Sequence, residues 1–385
     1  MSEENNDDLI KATYGEADIS MPDLMMPEAA EEVEQIENEM KIVEDKFNGS
    51  FNFCFIGAGQ GGSRVAEAFH RLGYGRVAAV NTAEQDLNTL KIENKLCIGD
   101  GGAGKEPELA RKVIEDKKED VLDFMRYSFG QSFDRIFVCA GAGGGTGSGM
   151  VVPLVNIANE VQKIHKTTDE KVGVILTLPR KSEGKKVSQN AYNVLKSVYS
   201  LVRQDVVSPL IVLDNEKVSQ MYPNVAVSKF FDVANSSLCG LFHLFNITSA
   251  KDSTYSSFDK NDYRGILNSG MMLFGASPVK NCKDPVEISR VVRGNLKGNL
   301  LCGGVDVSSG TTAGVIVVGA TEILDSLPQS FVDEALDQIN RMLQPGNVVH
   351  GGVYSGDKPN LNIFSAVGGL AEPVKRMEEL LAASR

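Results

Sequence analysis

The sequence predicts an α/β protein: a Rossmann-like parallel sheet, a long helix after it, and a second, smaller α/β unit. Two observations carry this expectation. In the first half, short apolar runs that read as buried strands lead through loops, several of them glycine-rich, into helix-like segments, and the alternation repeats. A long helix-compatible stretch then separates this region from a strand-rich second half. The composition, 42% hydrophobic and 23% charged over 385 residues, is ordinary for a globular chain of one large or two medium domains.

The chain opens on an acidic segment. Residues 1–50 hold fifteen Asp and Glu against three Lys, which accounts for the whole net charge of −12. Residues 1–27 read as disordered. Within 28–47, Val33, Ile36, Met40, Val43 and Phe47 recur at spacings of three and four, one apolar stripe of a short helix that docks on the body or meets a partner.

From residue 51 the strands and helices alternate. "FNFCFIGAG" enters a loop and "GGSRVAEAFHRLG" continues as a helix; "GRVAAVNT" is followed by "AEQDLNTLK", and "RIFVCAG" by "MVVPLVNIANEVQKI". "KVGVILTLP" and "SPLIVLDN" are two further strands, and "AVSKFFDVANSSLCGLFHLFN" is the long helix. The second half contributes "GVIVVGAT", the helix-like "SFVDEALDQINRML", "NVVHGGVYS" and "LNIFSAVGG". A last helix carries Leu370, Val374, Met377 and Leu381 as its stripe, with Pro373 tolerable in its first turn. The expected units are an extension at 1–50, a ligand-binding domain at 51–228, a central helix at 229–250, a second domain at 251–370 and a C-terminal helix at 371–385.

Several function classes are disfavoured by composition. No apolar run reaches the roughly 18–20 residues that span a bilayer, and the N-terminus shows no secretory pattern. Cys54, Cys97, Cys139, Cys239, Cys282 and Cys302 are scattered without metal-ligand spacing, which suggests a reducing, cytoplasmic setting and no structural metal. With basic and acidic residues balanced after residue 50, direct nucleic-acid binding is not indicated.

Chemistry concentrates in three glycine loops, "GAGQGG" (57–62), "GDGGAGKEPE" (99–108) and "AGAGGGTGSG" (140–149). Glycines at a strand-to-helix turn let backbone N–H groups approach an anion at the helix N-terminus. The first loop fits the dinucleotide pattern GxGxxG, but Asn81 and Thr82 occupy the place where that reading expects a ribose-binding acid. None fits the P-loop pattern GxxxxGK[ST]. Three loops at consecutive strand ends suit a nucleoside triphosphate, while a nicotinamide dinucleotide stays open as the alternative.

"AGAGGGTGSG" resembles the signature loop GGGTG[ST]G of the tubulin/FtsZ superfamily of GTPases. The likeness runs over roughly residues 51–370 in the family's order. "GAGQGG" is similar to its first phosphate loop, with Gln60 as in tubulins, "AVNTAEQDL" to the second and "GGAGKEPE" to the third. "LPRKSEGKK" resembles the ribose-contacting loop, "LDNEK" the family's "PNDKL", and "FFDVAN" the segment that holds the guanine base. The resemblance implies the tubulin/FtsZ fold, GTP or GDP as ligand, and Mg²⁺ held mainly by phosphates and water. It places Gly59, Gln60, Gly61, Gly102, Ala103, Gly104, Gly144, Gly145, Thr146 and Gly147 around the phosphates. Asn81 falls on the γ-phosphate side, Glu183 near the ribose, and Asn215, Phe231 and Asn235 at the guanine. An aromatic can stack on the base, and an asparagine amide offers both donor and acceptor to its edge.

The nucleotide loops hold no convincing general base. In the resembling family a loop after the central helix completes the neighbouring subunit's site through NxDxxD, and "SFDKND" supplies Asp259 and Asp262 as the implied catalytic carboxylates. Ser257 stands where the Asn belongs, and Val187 where division-type relatives carry Arg; Lys185 or Lys186 are the nearby cations. Gln60, "LPRKSEG", "VLDNEK" and the C-terminal helix are similar to the plasmid- and phage-borne (TubZ-like) branch. The resemblance thus implies a head-to-tail, GTP-hydrolysing filament that moves or positions plasmid or phage DNA, with itself and a DNA-bound adaptor as partners. A division-ring protein of the FtsZ type is the alternative.

Overall fold

The computed structural model describes residues 48–130, 132–165, 171–282, 284–298, 303–344, 347–356 and 360–385. The stripe on 28–47, the segment 1–27 and Cys302 lie outside the described residues.

Ten strands form one sheet: β1 (Phe53–Ala58), β2 (Val77–Asn81), β3 (Asn94–Cys97), β4 (Arg135–Gly141), β5 (Val172–Leu178), β6 (Val207–Asp214), β7 (Met271–Pro278), β8 (Thr312–Gly319), β9 (Val348–Ser355) and β10 (Leu361–Leu370), in the order β3-β2-β1-β4-β5-β6-β7-β10-β8-β9. β3 through β7 run parallel; β10 is antiparallel to β7 and β8, and β9 parallels β8. β1 and β6 are buried along their full length, which is why their sequences read as continuous apolar runs without alternation. Residues 271–370 join the same sheet through β6 and β7, at Leu210 opposite Met271 and Ile211 opposite Met272.

The helices are α1 (Gly59–Arg71), α2 (Glu84–Asn88), α3 (Pro107–Asp116), α4 (Lys118–Phe129), α5 (Thr146–His165), α6 (Lys185–Arg203), α7 (Asn215–Met221), α8 (Phe230–Thr248), α9 (Lys260–Leu267), α10 (Pro285–Lys297), α11 (Thr321–Leu324), α12 (Gln329–Met342) and α13 (Val374–Ser384). From the neighbours β1 and β4 the chain steps outward in opposite directions, β1 to β2 and β4 to β5. Right-handed crossovers then put α1 and α5 on opposite faces, and the crevice between the carboxyl ends of β1 and β4 is the switch point where such sheets bind ligands.

Beneath that crevice lies an aromatic core. Phe55 stacks on Phe69 with ring centroids 3.8 Å apart, and Phe53, Phe137 and Phe242 meet pairwise at 5.1 Å. These rings join β1, β4, α1 and α8, and aromatic pairs of this kind add about 0.5–1.5 kcal/mol each beyond their buried area. The strands that carry the loops thus share one rigid base with the long helix.

The last helix departs from its expected stripe. Leu370 closes β10 and Val374 is exposed, while Arg376, Met377 and Leu380 are the buried positions against α6. A stripe read only from apolar residues could not include the buried arginine.

Candidate functional site

The loop after β1 turns directly into α1. Gly59 has φ +64, a backbone conformation open to glycine, and a Cβ on Gly62 would sit 2.0 Å from the Cys139 carbonyl oxygen on β4. Across the crevice, a Cβ on Gly147 would lie 2.7 Å from the Gly141 oxygen, and one on Gly145 would lie 2.9 Å from the Ala103 side chain. Gly102, Gly104 and Gly144 differ: nothing lies within 4 Å of the Cβ position. Close-packing glycines hold the three loops together as a cradle, while Gly102, Gly104 and Gly144 face open space. α5 begins at Thr146, so the N–H groups of its first turn lack intrahelical acceptors and point their partial positive charge at this cradle.

Side chains lock the loops. Asp86, missed by the sequence reading, accepts from Gln60 Nε2 at 3.2 Å and from Asn81 Nδ2 at 3.1 Å, joining the first two loops. Asn81 is buried and its Oδ1 also takes the Thr82 N–H at 2.8 Å, so its amide shapes the second loop. Thr82 Oγ1 and Thr146 Oγ1 are 2.9 Å apart. Asn190 of α6 donates to the carbonyls of Lys105, Gly143 and Gly144 at 3.1, 3.3 and 3.4 Å, clasping the third loop to the signature loop. Asn190 was hidden in the sequence because a lone polar residue within a helical stretch carries no spacing signal.

One of the two departures noted in the sequence, Val187, has a packing role, and the nearby lysines are paired within the chain. Val187 is buried beneath the signature loop, its Cγ1 2.4 Å from where a Cβ on Gly143 would be. Lys186 pairs with Glu106, and Lys185 Nζ donates to the Arg385 carbonyl at 2.6 Å, so both cations are engaged by protein.

At the neighbouring strand ends, Glu183 Oε1 accepts the Arg180 N–H at 2.8 Å in a short turn after β5. Arg180 lies over the Phe230 ring at 5.1 Å, and Phe230 meets Phe231 edge-on at 5.3 Å. Phe230 is buried but Phe231 is 37% exposed, a free aromatic face at the start of α8. Asn215, at the start of α7, and Asn235, one turn after Phe231 on α8, are both buried. An exposed aromatic ring and amides that offer both donor and acceptor are the groups a planar heterocycle with a polar edge would use. Among the described residues, no group of three or more His, Cys, Asp or Glu is placed to hold a metal ion.

Asp259 and Asp262 are elsewhere. Lys260, between them, is 3.7 Å from Asp134, which immediately precedes β4, and lies 4.6 Å over the ring of Phe51, just before β1. The carboxylates therefore sit at the amino ends of β1 and β4, while the cradle occupies the carboxyl ends. β4 alone has seven residues, a span of about 20 Å. Asp259 precedes α9 as its N-cap and pairs with Asp262 across the first turn: Asp259 Oδ1 accepts from the N–H groups of Asn261 and Asp262 at 2.7 and 3.0 Å, and Asp262 Oδ2 accepts from Asp259 N–H at 3.0 Å. Asp262 Oδ1 faces His350 Nδ1 on β9 at 2.7 Å, a partner the sequence reading missed. Ser257 Oγ accepts the Ser253 N–H at 3.2 Å within its own loop.

The model of the Tubulin/FtsZ family GTPase domain matches residues 52–223. The tubulin-like protein TubZ of Bacillus cereus is 24% identical over 248 residues, 59% of this chain and 54% of that protein, so the chain spans about half the length of this relative. Cell division protein FtsZ 1 of Pyrococcus furiosus is 24% identical over 322 residues, covering 82% of this chain and 78% of the relative. The structure is similar to a GTPγS-form protofilament of Bacillus thuringiensis serovar israelensis TubZ, with TM-score 0.76, 17% identity, and coverage of 91% and 96% of the two chains. The fold is therefore that of the tubulin/FtsZ family.

Proposed function

Because residues 52–223 match the Tubulin/FtsZ family GTPase domain, we propose that this chain binds and hydrolyses GTP and stacks head to tail into dynamic filaments in the cytoplasm. The observation that carries the reading is the separation of the two halves of the site, cradle at the carboxyl ends of β1 and β4 and carboxylates at their amino ends. No single chain can bring together groups a strand's length apart, but a copy stacked on the next does so. A heterologous contact that does not close produces a filament.

In this reading residues 51–228 bind the nucleotide and α8 connects them to the unit at 251–370. Gly59, Gln60, Gly61, Gly102, Ala103, Gly104, Gly144, Gly145, Thr146 and Gly147 surround the phosphates, with Asn81 on the γ-phosphate side. Glu183 faces the ribose, while Asn215, Phe231 and Asn235 take the guanine. Mg²⁺, held by phosphate oxygens and water, supplies charge neutralisation when bound. Asp259 and Asp262 of one copy orient a water at the terminal phosphate on the next, in a reaction governed by positioning and charge stabilisation. GTP favours the stacked state and hydrolysis loosens it.

The filament's use, in this reading, is to move or position plasmid or phage DNA through a DNA-bound adaptor, as the TubZ-like motifs suggest. A division ring is the second reading, favoured by the longer share of the chain, 82% against 59%, that aligns with the FtsZ relative. The test is phosphate release per molecule against protein concentration. A steep rise above a threshold is expected; constant specific activity from dilute to concentrated protein would overturn the shared site. Fluorescent fusions in cells separate the two uses, a travelling filament for the first and a midcell ring for the second.

A further inference from the structure

The residue that joins the last helix to the crevice is Arg376. It is 2% exposed, and its guanidinium reaches Asp214, 162 positions earlier, through Nε to Oδ2 at 2.8 Å and Nη2 to Oδ1 at 3.0 Å. Nη2 also donates to the Pro179 carbonyl at 2.9 Å. Asp214 is the last residue of β6 and directly precedes Asn215; Pro179 follows β5 and opens the loop that carries Glu183. One planar fork thus bridges the two adjacent strand ends from which the proposed ribose and base residues leave.

Secondary contacts reinforce the same junction. Lys181 Nζ is 3.3 Å from Glu379 of α13, and Lys181 N–H donates to Glu216 Oε2 at 2.9 Å. Glu379 also approaches Arg376 Nη1 at 3.5 Å. In "LDNEK" an aspartate stands where the resembling motif has proline, so its charge partner comes from the C-terminal helix. Burial raises the Asp214 carboxyl above its usual range, with Arg376 opposing the shift.

We propose that Arg376 is a positioning residue for the guanine nucleotide: it holds the β5 and β6 ends in register, so that docking of α13 is required for selective recognition of the base. This rests on the GTP-binding reading. A fork that only stabilised the fold would have no reason to act on one nucleotide over another.

The experiment measures dissociation constants for GTP and for ATP by calorimetry, with the melting temperature of each variant. Arg376→Met alone leaves Asp214 buried without its cation, a change that can unfold the chain. The main variant is therefore Asp214→Asn with Arg376→Met, which removes both charges together. Arg376→Lys is the second, keeping charge but losing the bidentate fork. The expected result for the double variant is a melting temperature near that of the wild type and GTP affinity reduced about tenfold, within the usual range for linked sites. ATP affinity is expected to stay constant, so the GTP preference collapses; Arg376→Lys shifts the same ratio by a smaller factor. A wild-type ratio in either folded variant overturns the proposal. Wild-type protein that does not prefer GTP overturns the nucleotide reading itself, and the positioning role with it.

Discussion

The two ends of the parallel sheet are built from different materials. The carboxyl ends of β1 and β4 present backbone: glycines in contact, glycines facing open space, and a helix start with unpaired N–H groups. The amino ends present side chains, with Asp259 and Asp262 braced by each other's backbone and Asp262 also by His350. In the proposed function neither end is a complete site, since one offers a cradle without a base and the other carboxylates without a cradle. α8 connects them, with Phe231 near its start and Asn246 near its end, where Asn246 Oδ1 accepts the Phe51 N–H at 3.0 Å. Nineteen helical residues make a rod of about 28 Å. With the two ends so far apart, a substitution at one can leave the other's property intact.

The largest expected effect breaks the comparison at the amino end. Asp262→Ala is expected to lower GTP turnover about a hundredfold or more, the scale of a lost acid–base group, while GTP affinity stays near wild type. Phosphate release and nucleotide titration on the same preparation check both halves. At the carboxyl end, Gly62→Ala and Gly144→Ala are expected to separate packing from binding. Gly62→Ala drives a methyl into the Cys139 carbonyl and costs about 3 kcal/mol in denaturant unfolding. Gly144→Ala, with open space around it, keeps wild-type stability and weakens GTP binding.

The connecting rod supplies a pH dependence. His243 of α8 is held down to a pKa of about 4, first by burial and then by Lys251. Its folded value lies below its unfolded one, so the stability it contributes is present above about pH 6.5 and is lost as pH falls toward 4. The whole term is at most about 3.5 kcal/mol at ~1.4 kcal/mol per unit. Melting curves between pH 7.5 and 4.5 should show a shallower acid slope for His243→Gln than for the wild type. The smallest effect concerns His350: His350→Gln is expected to slow turnover roughly fivefold, the value of one orienting hydrogen bond of ~1 kcal/mol, without changing GTP affinity. An unchanged rate there would leave Asp262 braced by Asp259 alone.

Legibility in the sequence followed physical locality. The buried parallel strands were readable because both faces are covered and the runs are continuous, and the glycine loops because several glycines in one turn are costly without a local reason. α3 and α4 went unread, being charge-dense with only a few buried positions such as Ala110, Ile114 and Met125. β3, short and half-exposed at the sheet edge, and β7 were also missed. Within the site, residues in dense motifs were legible. Asp86, Asn190, His350 and Arg376 were not, because each works through a partner distant in sequence or through a backbone carbonyl. Their roles depend on topology, which no spacing encodes.

In the proposed filament one chain's cradle works with another chain's carboxylates, and mixing two defective variants puts that sharing to the test. Asp262→Ala keeps its cradle, whereas Gly144→Asp places a negative charge among the phosphates and keeps its carboxylates. Each alone is expected to hydrolyse little GTP. Mixed in equal amounts, random stacking gives an intact pair at about a quarter of contacts, so turnover should recover toward a quarter of the wild-type rate. A mixture no more active than its separate components would contradict the account.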